Sequence, residues 1–131
     1  MMEFPKDLKY TKNDEWIRVE GQQATAGITD YAQDQLSDIV FVEVVAGVGE
    51  TVAQGAACAT VESVKAAAEV YMPAGGKITA VNEALPNTPE LVNKEPYGGA
   101  WMVRFELTHP KEVDGLMDAA AYEAYCQERS H

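Results

Sequence analysis

The segment Ala56-Ala57-Cys58-Ala59-Thr60-Val61-Glu62-Ser63-Val64-Lys65-Ala66-Ala67-Ala68-Glu69-Val70-Tyr71-Met72 decides how the chain folds. Its two ends read as strands: Ala56 to Val61, with Cys58 facing inward, and Glu69 to Met72, closed by Pro73-Ala74-Gly75-Gly76. Between them two preferences compete. The alanines give Val64 to Glu69 a helical propensity, but the flanking extended runs override it and predict a hairpin with Lys65 at its tip. A type I turn tolerates Val and Lys at its centre. From Val19 to Gly76 there are eight acidic residues, Glu20, Asp30, Asp34, Asp38, Glu43, Glu50, Glu62 and Glu69, and one basic residue, Lys65. Most lysines are simply solvated. This one is isolated, lies at a turn and is followed by small residues, so a modifying enzyme can reach its amine. An ordinary lysine has a pKa of about 10.4, so that enzyme must deprotonate or activate it.

The neighbouring sequence extends the β pattern. Trp16 to Glu20 alternates, Gly21-Gln22-Gln23 turns, and Ala24 to Ile28 returns as a hairpin. Thr29 or Asp30 caps a short helix through Tyr31 to Leu36. Ile39 to Val45 is the most strand-like run; Gly47 to Glu50 turns it, and Thr51-Val52 begins another extended piece. Lys77 to Val81 and Trp101 to Leu107 are further strands, separated by an irregular stretch from Asn82 to Gly99 that is rich in Asn, Gly and Pro. Val48 to Val52 and Gly75 to Thr79 echo each other faintly, a hint of two related β halves. Pro110 suits a first helical position, and Asp118 suits a cap for Ala119 to Cys126, where Tyr122, Tyr125 and Cys126 share a face that packs on the β core. Trp16, Trp101 and Phe41 read as core residues. The expectation is one mainly β domain over residues 1–131, with a core of about 14–107 and a C-terminal helical segment of about 110–128.

Composition limits the function. The chain has 131 residues, 47% of them hydrophobic, enough for a core without disulfides or a structural metal. Ten basic against 21 acidic residues give a net charge of −11, which repels phosphate backbones and anionic membranes. No apolar run approaches a membrane span. The start, Met1 to Lys6, has neither an apolar signal core nor a transit pattern, so a cytoplasmic protein of bacterial type is expected ahead of a mature mitochondrial form. Cys58 and Cys126 form no C-x-x-C pair and read as reduced, packed thiols; with only His109 and His131 beside them, a zinc site has almost no ligands. Gly47-Val48-Gly49 lacks the third glycine of a dinucleotide fingerprint, and no G-x-S-x-G elbow occurs. A Ser63/Lys65 nucleophile pair can be imagined, but no oxyanion donors accompany it.

Several ordered motifs nevertheless resemble one family, the glycine cleavage system H protein. They are Asp14-Glu15-Trp16, Gly27-Ile28-Thr29-Asp30-Tyr31-Ala32-Gln33, Asp38-Ile39-Val40-Phe41-Val42-Glu43, Val61-Glu62-Ser63-Val64-Lys65-Ala66, Val81-Asn82-Glu83-Ala84-Leu85, Pro89-Glu90-Leu91-Val92-Asn93, Pro96-Tyr97-Gly98 and Gly99-Ala100-Trp101-Met102. The resemblance covers nearly the whole chain. It implies a lipoyl-type barrel-sandwich hybrid with short helices and a C-terminal helical extension. It also implies lipoate in amide linkage to Lys65, with Glu62, Ser63, Val64 and Ala66 as the modification motif. Biotin carriers share that fold, but their lysine usually stands between methionines, whereas Val64 and Ala66 flank this one. Two positions depart from the family: Asp14 stands where it usually has His, and Ala67-Ala68-Glu69 where it often has a small polar residue and then Asp.

By the same resemblance the chain is a non-catalytic carrier, expected to be monomeric. A pyridoxal-phosphate glycine decarboxylase would load an aminomethyl group on the arm, a tetrahydrofolate-dependent aminomethyltransferase would unload it, and a dihydrolipoyl dehydrogenase would reoxidise the dithiol. A lipoate-attaching enzyme would install the arm. Glu15 maps onto a glutamate near the resting loaded arm, where it would pair with a cationic amine, and Glu69 falls in the same cleft. Tethering gives each delivery a high effective concentration. The alternative is a lipoate-relay protein that passes lipoyl groups to other lipoyl domains.

Overall fold

The computed structural model describes residues 2–129, so Met1, on which the reading of the start rests, and His131 lie outside the described residues. The chain forms β1 (Lys9–Tyr10), β2 (Glu15–Glu20), β3 (Gln23–Ile28), α1 (Asp30–Leu36), β4 (Ile39–Val44), β5 (Thr51–Val52), β6 (Ala57–Ser63), β7 (Ala67–Tyr71), β8 (Gly76–Val81), α2 (Leu91–Lys94), β9 (Val103–Leu107), a 3-10 turn (Pro110–Gly115) and α3 (Ala119–Arg129). Among the described residues all strand pairings are antiparallel. One sheet has six strands in the order β1-β2-β3-β9-β8-β5, and the other has three in the order β4-β6-β7.

The mainly β reading holds, with local changes. The β2–β3 turn is Gly21-Gln22, where Gly21 takes a φ of 67°, a conformation that only glycine adopts freely. Thr29 is the cap of α1, its hydroxyl accepting from Ala32 N–H at 3.1 Å. The two echoing segments turn out to be ladder partners, Thr51 opposite Lys77 and Val52 opposite Gly76. Gly76 has no alternative there, because a Cβ would stand 2.4 Å from the Phe105 ring and 2.5 Å from the Glu106 carbonyl oxygen. The helix expected from Pro110 is a 3-10 turn, whereas Asp118 does cap α3, accepting from Ala121 N–H at 2.9 Å.

The main core lies between the sheets, with Ile17, Val42, Val61, Ile78 and Phe105 at 1% exposure or less. A second cluster joins Leu8, Tyr10, Trp16, Tyr31, Tyr122 and Cys126. α3 therefore packs on this second cluster rather than on the main core; the Tyr10 and Tyr122 rings stack at 4.6 Å with 3° between their planes. Both cysteines are buried thiols, not joined in a disulfide. Trp16 is buried as expected, and Gly27 opposite it leaves room for the indole. Trp101 is only half-buried, under the Arg104 guanidinium at 4.1 Å. Phe41 is a correction: it is 42% exposed, because the pairing of β4 with β6 slips between Ile39 and Phe41 and turns the ring outward.

Candidate functional site

Lys65 lies at the tip of the β6–β7 hairpin, and the hairpin is tighter than the sequence suggests. β6 runs on to Ser63 and β7 begins at Ala67, with Glu62 opposite Ala67 and Val61 opposite Ala68. Ser63 N–H donates to the Ala66 carbonyl at 2.7 Å. The Ser63 hydroxyl donates to the same carbonyl at 3.1 Å and accepts from Ala66 N–H at 3.0 Å and Lys65 N–H at 3.3 Å. Such side-chain bonds to the local backbone fix a turn without glycine, and neither Val64 nor Lys65 needs a positive φ. They also argue against a Ser63 nucleophile: this hydroxyl is tied to its own turn, its hydrogen given to the Ala66 carbonyl. Val64, Lys65, Ala66 and Ala67 are all exposed, and among the described residues no carboxylate lies within ion-pair distance of the Lys65 ammonium.

A relay of hydrogen bonds steadies this tip from beneath. Val64 N–H donates to the Asp38 carbonyl at 3.0 Å. The flanks of Asp38 are held by the Asn93 side chain, whose Oδ1 accepts from Ile39 N–H at 2.9 Å and whose Nδ2 donates to the Ser37 carbonyl at 3.0 Å and to Gln33 Oε1 at 2.9 Å. Asn93 belongs to a quoted motif, but sequence reasoning gave it no role, since nothing in one sequence pairs it with a hairpin tip. Asn93→Ala would leave the Ile39 N–H without its partner, and we expect a loss of about 1–3 kcal/mol. Urea unfolding with an unchanged slope checks this.

Glu15 is neither a surface residue nor in bulk water, being 1% exposed. It opens β2 directly after Asp14, which holds a φ of 69°. One carboxylate oxygen accepts from the Thr11 hydroxyl at 2.5 Å and the other from Tyr71 N–H, at the end of β7, at 3.1 Å. Glu69, two residues earlier on β7, is exposed. The structure thus brings Glu15 to the far end of the strand that begins beside Lys65; about 13 Å of extended chain separates Ala67 from Tyr71. The Asp14 departure is explained by α3: its carboxylate accepts from the Tyr122 hydroxyl at 2.8 Å and takes Arg129 through both oxygens, at 2.5 and 3.3 Å. Sequence reasoning missed Arg129, whose partner lies 115 positions away.

Burial pushes the Glu15 carboxyl above its ordinary value; the bonds from Thr11 and Tyr71 pull it back, and the charge of Asp14 adds a smaller upward push. The folded state therefore holds this proton more tightly than the unfolded chain. Its contribution to stability is complete below the ordinary carboxylate range and is lost as pH rises through the raised value. Glu15→Gln keeps the shape and an acceptor for Tyr71 N–H. We expect it to flatten that fall and to raise Tm at neutral pH, as parallel thermal unfolding from acid to neutral pH will show. Nearby, burial and then the Glu15 charge push the Cys58 thiol up to about 12. A thiol so protonated cannot attack a disulfide at neutral pH.

The family described as Glycine cleavage H-protein matches residues 8–129. The chain belongs to the glycine cleavage H-protein family. The glycine cleavage system H protein of Symbiobacterium thermophilum is 50% identical over 128 residues, covering 98% of this chain and 99% of that protein. That of Citrobacter koseri is 49% identical over 129 residues, with 98% and 99% covered. A crystal structure of a glycine cleavage system H protein from Mycobacterium marinum superposes with a TM-score of 0.82 at 34% identity, covering 97% of this chain and 99% of that one. The two antiparallel sheets and terminal helix are thus the lipoyl-type barrel-sandwich fold of the glycine cleavage H-protein family. Among the described residues no helix is long and apolar enough to cross a membrane.

Proposed function

We propose that the chain is the lipoyl-bearing carrier of the glycine cleavage system, with Lys65 as the attachment residue. The observation that carries this reading is the tip itself: an exposed lysine without an ion-pair partner among the described residues, on a turn braced by Ser63 and Asp38 and followed by Ala66 and Ala67. Nothing bulky follows Lys65, so the residues present fit an arm in amide linkage. When attached, the arm's disulfide supplies group-accepting and redox chemistry.

The chain's own residues supply the rest. Once deprotonated in the attaching enzyme, the Lys65 Nζ attacks the acyl carbon of an acyl adenylate. A C–N amide bond forms, the bond to the phosphate oxygen breaks, and AMP leaves. Glu15 is buried at the end of β7 and is the candidate partner for a cationic amine brought back along that strand. Such a cation favours the carboxylate form that burial disfavours. Glu69 borders the same strand on its exposed face. Cys58 stays protonated and leaves the arm's sulfurs alone. The chain needs no catalytic residue; its decarboxylase, aminomethyltransferase and dehydrogenase partners perform the reactions.

Reconstitution tests the reading. The lipoylated chain, mixed with a pyridoxal-phosphate glycine decarboxylase and glycine, is expected to support carbon dioxide release that the unmodified chain does not. Lipoyl attachment without any support of decarboxylation would point to a lipoate relay instead.

A further inference from the structure

β4 is irregular where it passes the lysine tip. The slip between Ile39 and Phe41 sets an extra residue against β6, and such a bulge re-aims side chains. Ile39 and Val42 face the core, whereas the consecutive residues Val40 and Phe41 are 55% and 42% exposed. A regular strand alternates and would have turned one of them inward. Val64, at the tip, is 66% exposed, and its N–H is held by the residue just before β4. Three of the six large apolar side chains that the described residues leave exposed are therefore gathered about Lys65.

Their surroundings are acidic. Across the three-stranded sheet, Phe41 lies beside Glu62 and then Ala67, and the next row on that face holds Glu43, Thr60 and Glu69. All three glutamates are exposed. Past Phe41 the surface dips into a groove of about 350 Å³, lined in part by Val44, Val81 and Pro86, with Glu43 and Glu83 among its polar residues.

We propose that Val40, Phe41 and Val64, bordered by Glu43, Glu62 and Glu69, form the surface that docks on the enzyme acylating Lys65. The proposal rests on Lys65 being the attachment residue. The occupant follows from the chemistry: an enzyme face with an apolar hollow for the Phe41 ring, rimmed by lysines or arginines. A buried aromatic anchor within a polar rim is the usual anatomy of a protein contact, and complementary charge speeds the encounter and fixes its register. Like charges on one sheet face oppose each other in the free chain, and a basic rim relieves them. A second copy of this chain is a poor occupant, since each copy carries a net charge of −11.

The test is the rate of amide formation on the full chain, using a lipoate–protein ligase, lipoic acid and ATP. Phe41→Ser is expected to lower kcat/KM about tenfold or more, equivalent to ~1.4 kcal/mol, mainly through KM. Phe41→Leu is expected to restore most of the rate, and Val48→Ser, at a valine elsewhere that is 65% exposed, to change nothing. Glu43→Gln should weaken the salt dependence of KM. Equal rates for wild type and Phe41→Ser would overturn the proposal. So would a concentration-dependent dimer lost in Phe41→Ser with the rate unchanged, which would make the patch a self-association surface. If the wild-type chain is not modified while a known lipoyl domain is, the attachment reading itself fails, and the docking surface with it.

Discussion

Lys65→Arg is expected to take a chain that supports glycine decarboxylation in the reconstituted system to background, with its fold intact. The expectation rests on chemistry more than charge. Arginine keeps the cation and much of the length, but its guanidinium stays protonated at any pH a protein tolerates and cannot form the amide. The turn does not depend on the side chain: Ser63, Ala66 and Asp38 hold it through the backbone and one hydroxyl. Thermal unfolding of Lys65→Arg should match the wild type, since a surface substitution away from such features changes stability by only about 0.5 kcal/mol. Residual decarboxylation well above background would mean that the arm is carried elsewhere.

Trp16→Ala is expected to be the most damaging single change to stability, costing about 3–5 kcal/mol out of a total of roughly 5–15. Trp16 is fully buried, with its indole N–H donating to the Pro96 carbonyl at 2.9 Å, and it ties β2 to the irregular stretch before β9. Gly27 on β3 leaves room for the ring, at 3.0 Å from where a Cβ would stand. Removing the ring opens a cavity between the second cluster and that stretch and leaves the Pro96 carbonyl unpaired. Chemical unfolding followed by circular dichroism measures the loss. Trp16→Phe, which keeps most of the apolar area, should lose less.

Much of this structure was legible in the residues. The β pattern was readable because alternation and turn residues are local signals, and Lys65 was conspicuous because a lone cation in an acidic run is visible without a structure. The direction of Phe41 was not legible: a one-residue slip in a ladder reverses which face a side chain takes, and the run Ile39 to Val45 looks equally strand-like either way. Asn93 and Arg129 escaped for a different reason. Their value lies in partners distant in sequence, Ile39 for one and Asp14 for the other. Glu15 was half legible, since its place before Trp16 marked it, but its burial against Tyr71 N–H depends on two sheets meeting.

The claim on which the rest depends is that Lys65 carries the arm. Intact-mass measurement with peptide mapping, after exposure of the whole chain to a lipoate–protein ligase, lipoic acid and ATP, tests it most directly. The account predicts a single lipoyl adduct, on the peptide containing Lys65 and absent from Lys65→Arg. An unmodified chain, under conditions that modify a known lipoyl domain, or an adduct on any other lysine, would contradict it.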